Sequence, residues 1–138
     1  MNSFSRLTIL SVGVFILLTS CAKEDDVQPM GNTGSGPNAS FLGNWYVEEV
    51  SKLYGPATYN IYIADSSDNN FVLISYLYGY KTKITATTSN SSNHIPSQVI
   101  EANAVSGNGT LVNNSRIQLI YYVDNGFEKD TINAVLTK

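Results

Sequence analysis

Few residues in this 138-residue chain have the chemistry for catalysis or metal binding: it holds one cysteine, Cys21, and one histidine, His94. A Ser-His-Asp arrangement needs a histidine oriented beside its nucleophile, and no nucleophile elbow accompanies His94. That histidine sits in Ser91-Ser92-Asn93-His94-Ile95-Pro96, a polar stretch that reads as a surface turn. Glu48-Glu49 is a carboxylate pair, yet adjacent residues of a strand point to opposite faces and cannot act together on one bond. Asp65-Ser66-Ser67-Asp68-Asn69-Asn70 offers oxygen ligands of the kind calcium takes. It lacks the spacing and the distal bidentate glutamate of a calcium loop, so it reads as an Asx-rich turn. One histidine and one thiol leave zinc unsupported. The expectation is a non-enzyme with no cofactor and no metal.

Cys21 closes an apolar run. Arg6 gives a small positive start, and Leu7 to Leu18 is built of Leu, Ile, Val, Phe and small residues. A spanning helix needs about 20 apolar residues, so this run is too short to cross and stay. The small Thr19 and Ser20 suit the narrow site of a signal peptidase. The competing reading is an uncleaved anchor helix with an incidental cysteine. Leu18-Thr19-Ser20-Cys21 resembles the lipobox of bacterial lipoproteins. The resemblance implies that residues 1–20 are a signal peptide and that Cys21 is acylated as the first mature residue. Acyl chains contribute about 0.8 kcal/mol per buried CH₂, and two or three of them make a lasting anchor. The next residues, Ala22-Lys23-Glu24-Asp25-Asp26, form a solvated charge run. Lys23, Glu24 and Asp25 resemble the export signal of Bacteroidetes-type lipoproteins. That likeness implies a protein lipid-anchored in the outer membrane and facing the cell exterior, with the periplasmic face as the alternative.

From Val27 to Ser40 the chain turns to Gly, Pro, Ser and Asn without apolar periodicity. Such a stretch cannot bury enough surface to offset its ordering, so residues 21–40 read as lipidated N-terminus and flexible tether. One domain follows, residues 41–138, long enough for a single modest core. Net charge is −3 and the lysines are scattered, which argues against nucleic acid as a partner.

All nine tyrosines lie in this domain, and its alternation has period two rather than 3.6. Ile117, Leu119, Tyr121 and Val123 share one face, as do Ile132, Ala134 and Leu136. Turn signals recur at Tyr54-Gly55-Pro56, 65–70, Tyr78-Gly79, 89–93, 106–109, 113–115 and 124–126, where Asn and Gly accept positive φ cheaply. The strands predicted between them are 44–53, 58–65, 70–77, 80–88, 97–105, 109–112, 115–123 and 128–137. Strands every dozen residues joined by hairpins predict an all-β fold, a small antiparallel up-and-down barrel of about eight strands, with a β-sandwich as the alternative.

Leu42-Gly43-Asn44-Trp45-Tyr46-Val47 resembles the Gly-x-Trp start of the first strand in lipocalin-like (calycin) barrels. Val105 to Thr110, Ile117 to Tyr122 and Ala134 to Lys138 resemble short lipocalin-like lipoproteins of Bacteroidetes-type bacteria. The chain is shorter than a typical lipocalin and has no Thr-Asp-Tyr loop motif. The resemblance implies that Gly43 and Trp45 form the barrel floor. In lipocalins a basic residue on the last barrel strand packs over that tryptophan, a role left open between Arg116 and Lys138.

By parity, Tyr59, Tyr80 and Tyr121 share faces with Ile and Leu, whereas Tyr46, Tyr62 and Tyr122 lie opposite. Tyr59, Ile61, Tyr80, Ile84, Leu119 and Tyr121 are therefore the candidate ligand-lining residues. An eight-stranded barrel is just wide enough to be filled by side chains or to hold one small ligand. The expected function is non-catalytic binding of a small hydrophobic or amphipathic molecule. The alternative is a filled barrel that presents its surface to a protein or glycan. Asp130-Thr131-Ile132 also resembles the Asp-Thr-apolar site of O-glycosylation, which would modify Thr131. Oligomeric state stays open.

Overall fold

A computed structural model describes Gly36, residues 38–68 and residues 70–138. Alternation builds the wall. In β1 (Gly43–Ser51) the side chains of Trp45, Val47, Glu49 and Ser51 are buried while Tyr46, Glu48 and Val50 are exposed. The remaining strands are β2 (Gly55–Asp65), β3 (Phe71–Ser75), β4 (Ile84–Ser89), β5 (Ser92–Ile100), β6 (Asn103–Asn113), β7 (Arg116–Asp124) and β8 (Lys129–Thr137). Each pairs antiparallel with the next, and β8 returns to β1 through Tyr46↔Thr137 to Ser51↔Ile132, closing an eight-stranded up-and-down barrel. Closure removes the sheet edges that a small sheet would otherwise expose.

The inward set fills the interior as one apolar cluster, with Ile61, Ile63, Ile74, Ile84, Ile117 and Leu119 each at most 2 % exposed. Burying each such side chain contributes about 1.5–3 kcal/mol against the ordering cost of the chain.

The two ends differ. At the floor, where β1 begins, the turn over residues 38–41 packs beneath the strands, with Phe41 fully buried. Asn38 is buried too. It donates to the Asp65 side chain and the Phe71 carbonyl and accepts from the Thr88 hydroxyl, so packed contacts begin ahead of Phe41. The indole N–H of Trp45 donates to the Phe41 carbonyl at 2.7 Å. Lys138 sits 4.5 Å from the Trp45 ring centre and donates to the Ser40 carbonyl. Of the two basic residues left open by the sequence, it is Lys138 that covers the tryptophan. Its burial there holds the ammonium below the usual lysine range.

At the opposite end, the mouth, residues 76–80 fold over the barrel around a short 3-10 turn, Leu77–Gly79, and drive Leu77 fully into the core. Tyr76 and Tyr78 adopt left-handed φ values of 69° and 57°. Bulky residues enter this region only at a cost of order 1–3 kcal/mol each.

Several expected elements are placed differently. Residues 80–83 belong to the mouth loop, so β4 starts at Ile84 rather than at Tyr80. His94 is not in a turn; it lies on β5, exposed, with its Nδ1 2.8 Å from the Asn108 Oδ1. Nor is 106–109 a turn. Those residues lie inside β6, and the chain reverses instead at Glu101-Ala102, both at positive φ (48° and 72°) as a two-residue hairpin requires. Glycine serves β6 by close approach: a Cβ on Gly107 would meet the Tyr121 Cβ at 2.6 Å, and one on Gly109 would meet the Asn93 side chain. Pro96 has no N–H to offer a neighbour, and the register slips between Ile95 and Gln98. The Gln98 amide bridges to β4 instead, accepting from the Thr85 N–H at 3.0 Å and donating to its carbonyl at 2.7 Å.

Candidate functional site at the barrel mouth

Strand parity carries polar groups into the core at the mouth. β1 ends its inward series Trp45, Val47 with Glu49 and Ser51, and β8 begins its own with Asp130 ahead of Ile132, Ala134 and Leu136. Glu49 is 6 % exposed and Asp130 1 %. Buried charge is costly unless hydrogen bonds satisfy it, and the mouth supplies them from neutral donors. Tyr59 and Tyr121 each donate a hydroxyl to Glu49 Oε2 at 2.6 Å. The Asp130 Oδ2 accepts from the Ser51 hydroxyl at 2.5 Å and from the Tyr78 hydroxyl at 3.0 Å, and its Oδ1 accepts from the Leu53 N–H at 3.2 Å. The Tyr78 N–H donates to the Tyr59 hydroxyl at 3.0 Å, joining the two carboxylates into one network.

Electrostatics follow from these contacts. Burial, then the hydrogen bond to a carboxylate, raises the Tyr59 and Tyr78 phenols above the ordinary tyrosine range. Tyr121 is raised by burial first, then by the Tyr59 phenol and Glu49. All three therefore stay protonated donors at neutral pH. Burial alone would raise Asp130, but hydrogen bonds from Ser51, Tyr78 and the N–H groups of Leu53 and Thr131 outweigh it and hold the carboxyl below its usual value.

A cleft opens beside this network. β2 pairs with β3 only over Tyr62–Asp65, so its first half has β1 on one side and the mouth loop on the other. The space between is about 470 Å³ and is walled by Tyr54, Pro56, Tyr59, Tyr76 and Tyr78, with Glu49 in its lining. Tyr54, Tyr78 and Gly79 also line an adjoining cleft of about 310 Å³ that takes in Tyr80, Glu101, Glu128 and Asp130. The Tyr78 ring packs 5.6 Å from Tyr80 and edge-on to Tyr121 at 6.1 Å, fixing the partition between the two spaces. A third hollow, about 700 Å³, lies on the outer wall across β2, β1, β8 and β7, where Glu48, Val50, Arg116, Gln118 and Ile120 face out.

The sequence-derived candidates scatter. Cys21, Lys23, Glu24 and Asp25 lie outside the described residues. Gly43, at φ 112°, opens β1, and Trp45 is 1 % exposed at the floor. Tyr59 and Tyr121 meet at Glu49, and Tyr80 is buried in the mouth loop. Ile61, Ile84 and Leu119 are packed in the interior and line neither mouth cleft. Thr131 is half-buried in β8, its carbonyl accepting from the Lys52 N–H at 3.0 Å. Sequence reasoning passed over Glu49, Ser51 and Asp130 as site residues, although each stands on the apolar parity of its strand. It read Tyr78 as a turn residue. Among the described residues no cluster of three His, Cys, Asp or Glu side chains could hold a metal ion.

No protein-family model matches the chain, and none of the curated proteins matches it. Among solved structures it is similar to a redesigned beta barrel, with a TM-score of 0.54 and 11 % sequence identity over 74 % of this chain and 94 % of that one. At that identity the likeness shows the fold alone, an antiparallel β-barrel.

Proposed function

We propose that the chain is a non-catalytic binding protein that holds one small amphipathic molecule at the mouth of the barrel, not inside it. The observation that carries this reading is the 470 Å³ cleft, whose aromatic walls surround a few convergent polar groups. Ligand sites usually combine these features. The lipobox-like Leu18-Thr19-Ser20-Cys21 and the Lys23-Glu24-Asp25 run support a lipid anchor in the outer membrane facing the cell exterior. The Gly43-x-Trp45 floor and its Lys138 cover support the likeness to lipocalin-like lipoproteins. The runner-up reading, a surface module, draws on the outer hollow with its exposed Val50 and Ile120.

A neutral apolar dye, N-phenyl-1-naphthylamine, tests the mouth. It should bind saturably at one site, and Tyr54→Ala and Tyr76→Ala should each weaken it, because both side chains are exposed wall rather than core. Trp45 should not respond. It lies six residues from Ser51 along β1, roughly 20 Å from the mouth at 3.3 Å per residue. Binding that survives both substitutions but is lost in Ile120→Glu would move the site to the outer wall. No saturable binding would overturn the proposal.

A further inference from the structure

The mouth concentrates negative charge in a way that neutral hydrogen bonds do not finish. Glu49 and Asp130 are both more than nine-tenths buried. Every donor to their carboxylates is a phenol, a hydroxyl or a backbone N–H. Among the described residues, no lysine, arginine or histidine reaches either one. The cations that do make ring contacts are elsewhere, Lys138 over Trp45 at the floor and Lys129 over Tyr122 on the wall. Glu49 Oε2 takes two hydroxyls, while its Oε1 takes no hydrogen bond among the described residues, and Glu49 lines the aromatic cleft. Glu101 and Glu128 add further negative charge to the adjoining cleft.

Aromatic faces carry partial negative charge and attract cations, most strongly where water is excluded. Tyr54, Tyr59, Tyr76 and Tyr78 line the same open cleft as the Glu49 carboxylate. Both elements favour the same ligand class and disfavour an anion. A hard metal ion is a poor match: calcium takes six to eight oxygens, and the two carboxylates are already held by phenols. Resting on the binding reading above, we infer that the mouth cleft takes an organic cation, an ammonium group on an apolar body, with Glu49 as its counter-charge and the tyrosines as its cage.

The experiment is an NMR titration of the full chain with three probes that share one ring: benzyltrimethylammonium, benzyl alcohol and benzoate. The cation should perturb the Tyr54, Tyr59 and Tyr76 signals and bind about tenfold more tightly than the alcohol, with benzoate weakest. Glu49→Gln should abolish that preference, bringing the affinity for the cation down to that for the alcohol. Tyr54→Ala, at a side chain 72 % exposed, should weaken the cation severalfold without the folding risk of a core substitution. If alcohol and cation bind the cleft equally, or Glu49→Gln leaves the preference intact, the cationic assignment falls and the cleft itself stands. If calcium displaces the cation at equal concentration, the ligand class is overturned. If no probe perturbs the cleft tyrosines, the binding reading falls with it.

Discussion

Replacing Gly107 with alanine tests a glycine held by close approach inside a strand. Gly107 pairs with Tyr121 across β6 and β7. A Cβ there would stand 2.6 Å from the Tyr121 Cβ, 2.8 Å from the Ile120 carbonyl oxygen and 2.9 Å from the Tyr121 Cα. Nonbonded carbons rest at about 3.5–4.0 Å, so the two strands must part by roughly 1 Å. None of these atoms is the free end of a flexible side chain. Overpacking of this kind costs about 1–3 kcal/mol, and the backbone-entropy advantage of alanine offsets about 0.5–1 kcal/mol. Moving Tyr121 also strains its 2.6 Å bond to Glu49, and bonds to charged groups contribute about 1.5–3 kcal/mol. The net loss should be about 2–4 kcal/mol, a large share of the 5–15 kcal/mol that holds a typical domain. Urea unfolding followed through Trp45, the sole tryptophan, reads it directly. The midpoint should fall with the slope unchanged. If alanine acts by displacing Tyr121, combining it with Tyr121→Phe should cost about 1 kcal/mol less than the two separate losses summed. A midpoint equal to the parent's or higher would refute the close-packing account. An additive pair would sever the link to Glu49.

Trp45→Ala should lower stability by about 3–5 kcal/mol, the range for deleting a large buried aromatic; in the parent, Trp45 emission should be blue and protected from iodide, and a red, freely quenched signal would contradict its burial. Asp130 has a folded-state pKa below its unfolded value, so its stabilisation is complete above about pH 4 and drains away as pH falls toward the lower, folded value. Ser51→Ala removes one donor to it, so the gap in urea midpoint between parent and variant should be open at pH 7 and narrow by pH 3; an equal gap at both would rule out the carboxylate as the cause. Cys21→Ser should release the chain from the membrane fraction, and detergent-phase partitioning equal to the parent's would dismiss the lipid anchor.

Parity made the wall legible. Tyr46 and Tyr62 face out, Tyr121 faces in, and Glu48 and Glu49 take opposite sides because a strand alternates every residue. What misled was local chemistry with two meanings. Gly107-Asn108-Gly109 carries the same composition as a hairpin turn, yet its glycines admit Tyr121 and Asn93 at close range. The true reversal, Glu101-Ala102, has no Gly or Asn to announce its positive φ. The polar stretch from Ser91 to Pro96 read as a turn, whereas β5 runs through it with a register slip between Ile95 and Gln98, and the Gln98 amide bonds to Thr85 on β4. The site was half-legible. A carboxylate on the apolar parity of β1 and another on that of β8 were visible in the residues, but which end of which strand they share is decided only by closure of the sheet.

Both ends of the described chain meet at the floor. Asn38 and Phe41 enter beneath Trp45, and Lys138 finishes above the same ring. The barrel therefore has a polarity that its near-uniform wall conceals. Anything attached ahead of Asn38, a lipid included, pulls on the floor, and a nine-residue strand raises the mouth by up to about 30 Å from that point of attachment. The tyrosine-walled mouth thus lies at the far end from both Asn38 and Lys138, and a tag fused ahead of the one or after the other leaves that end clear.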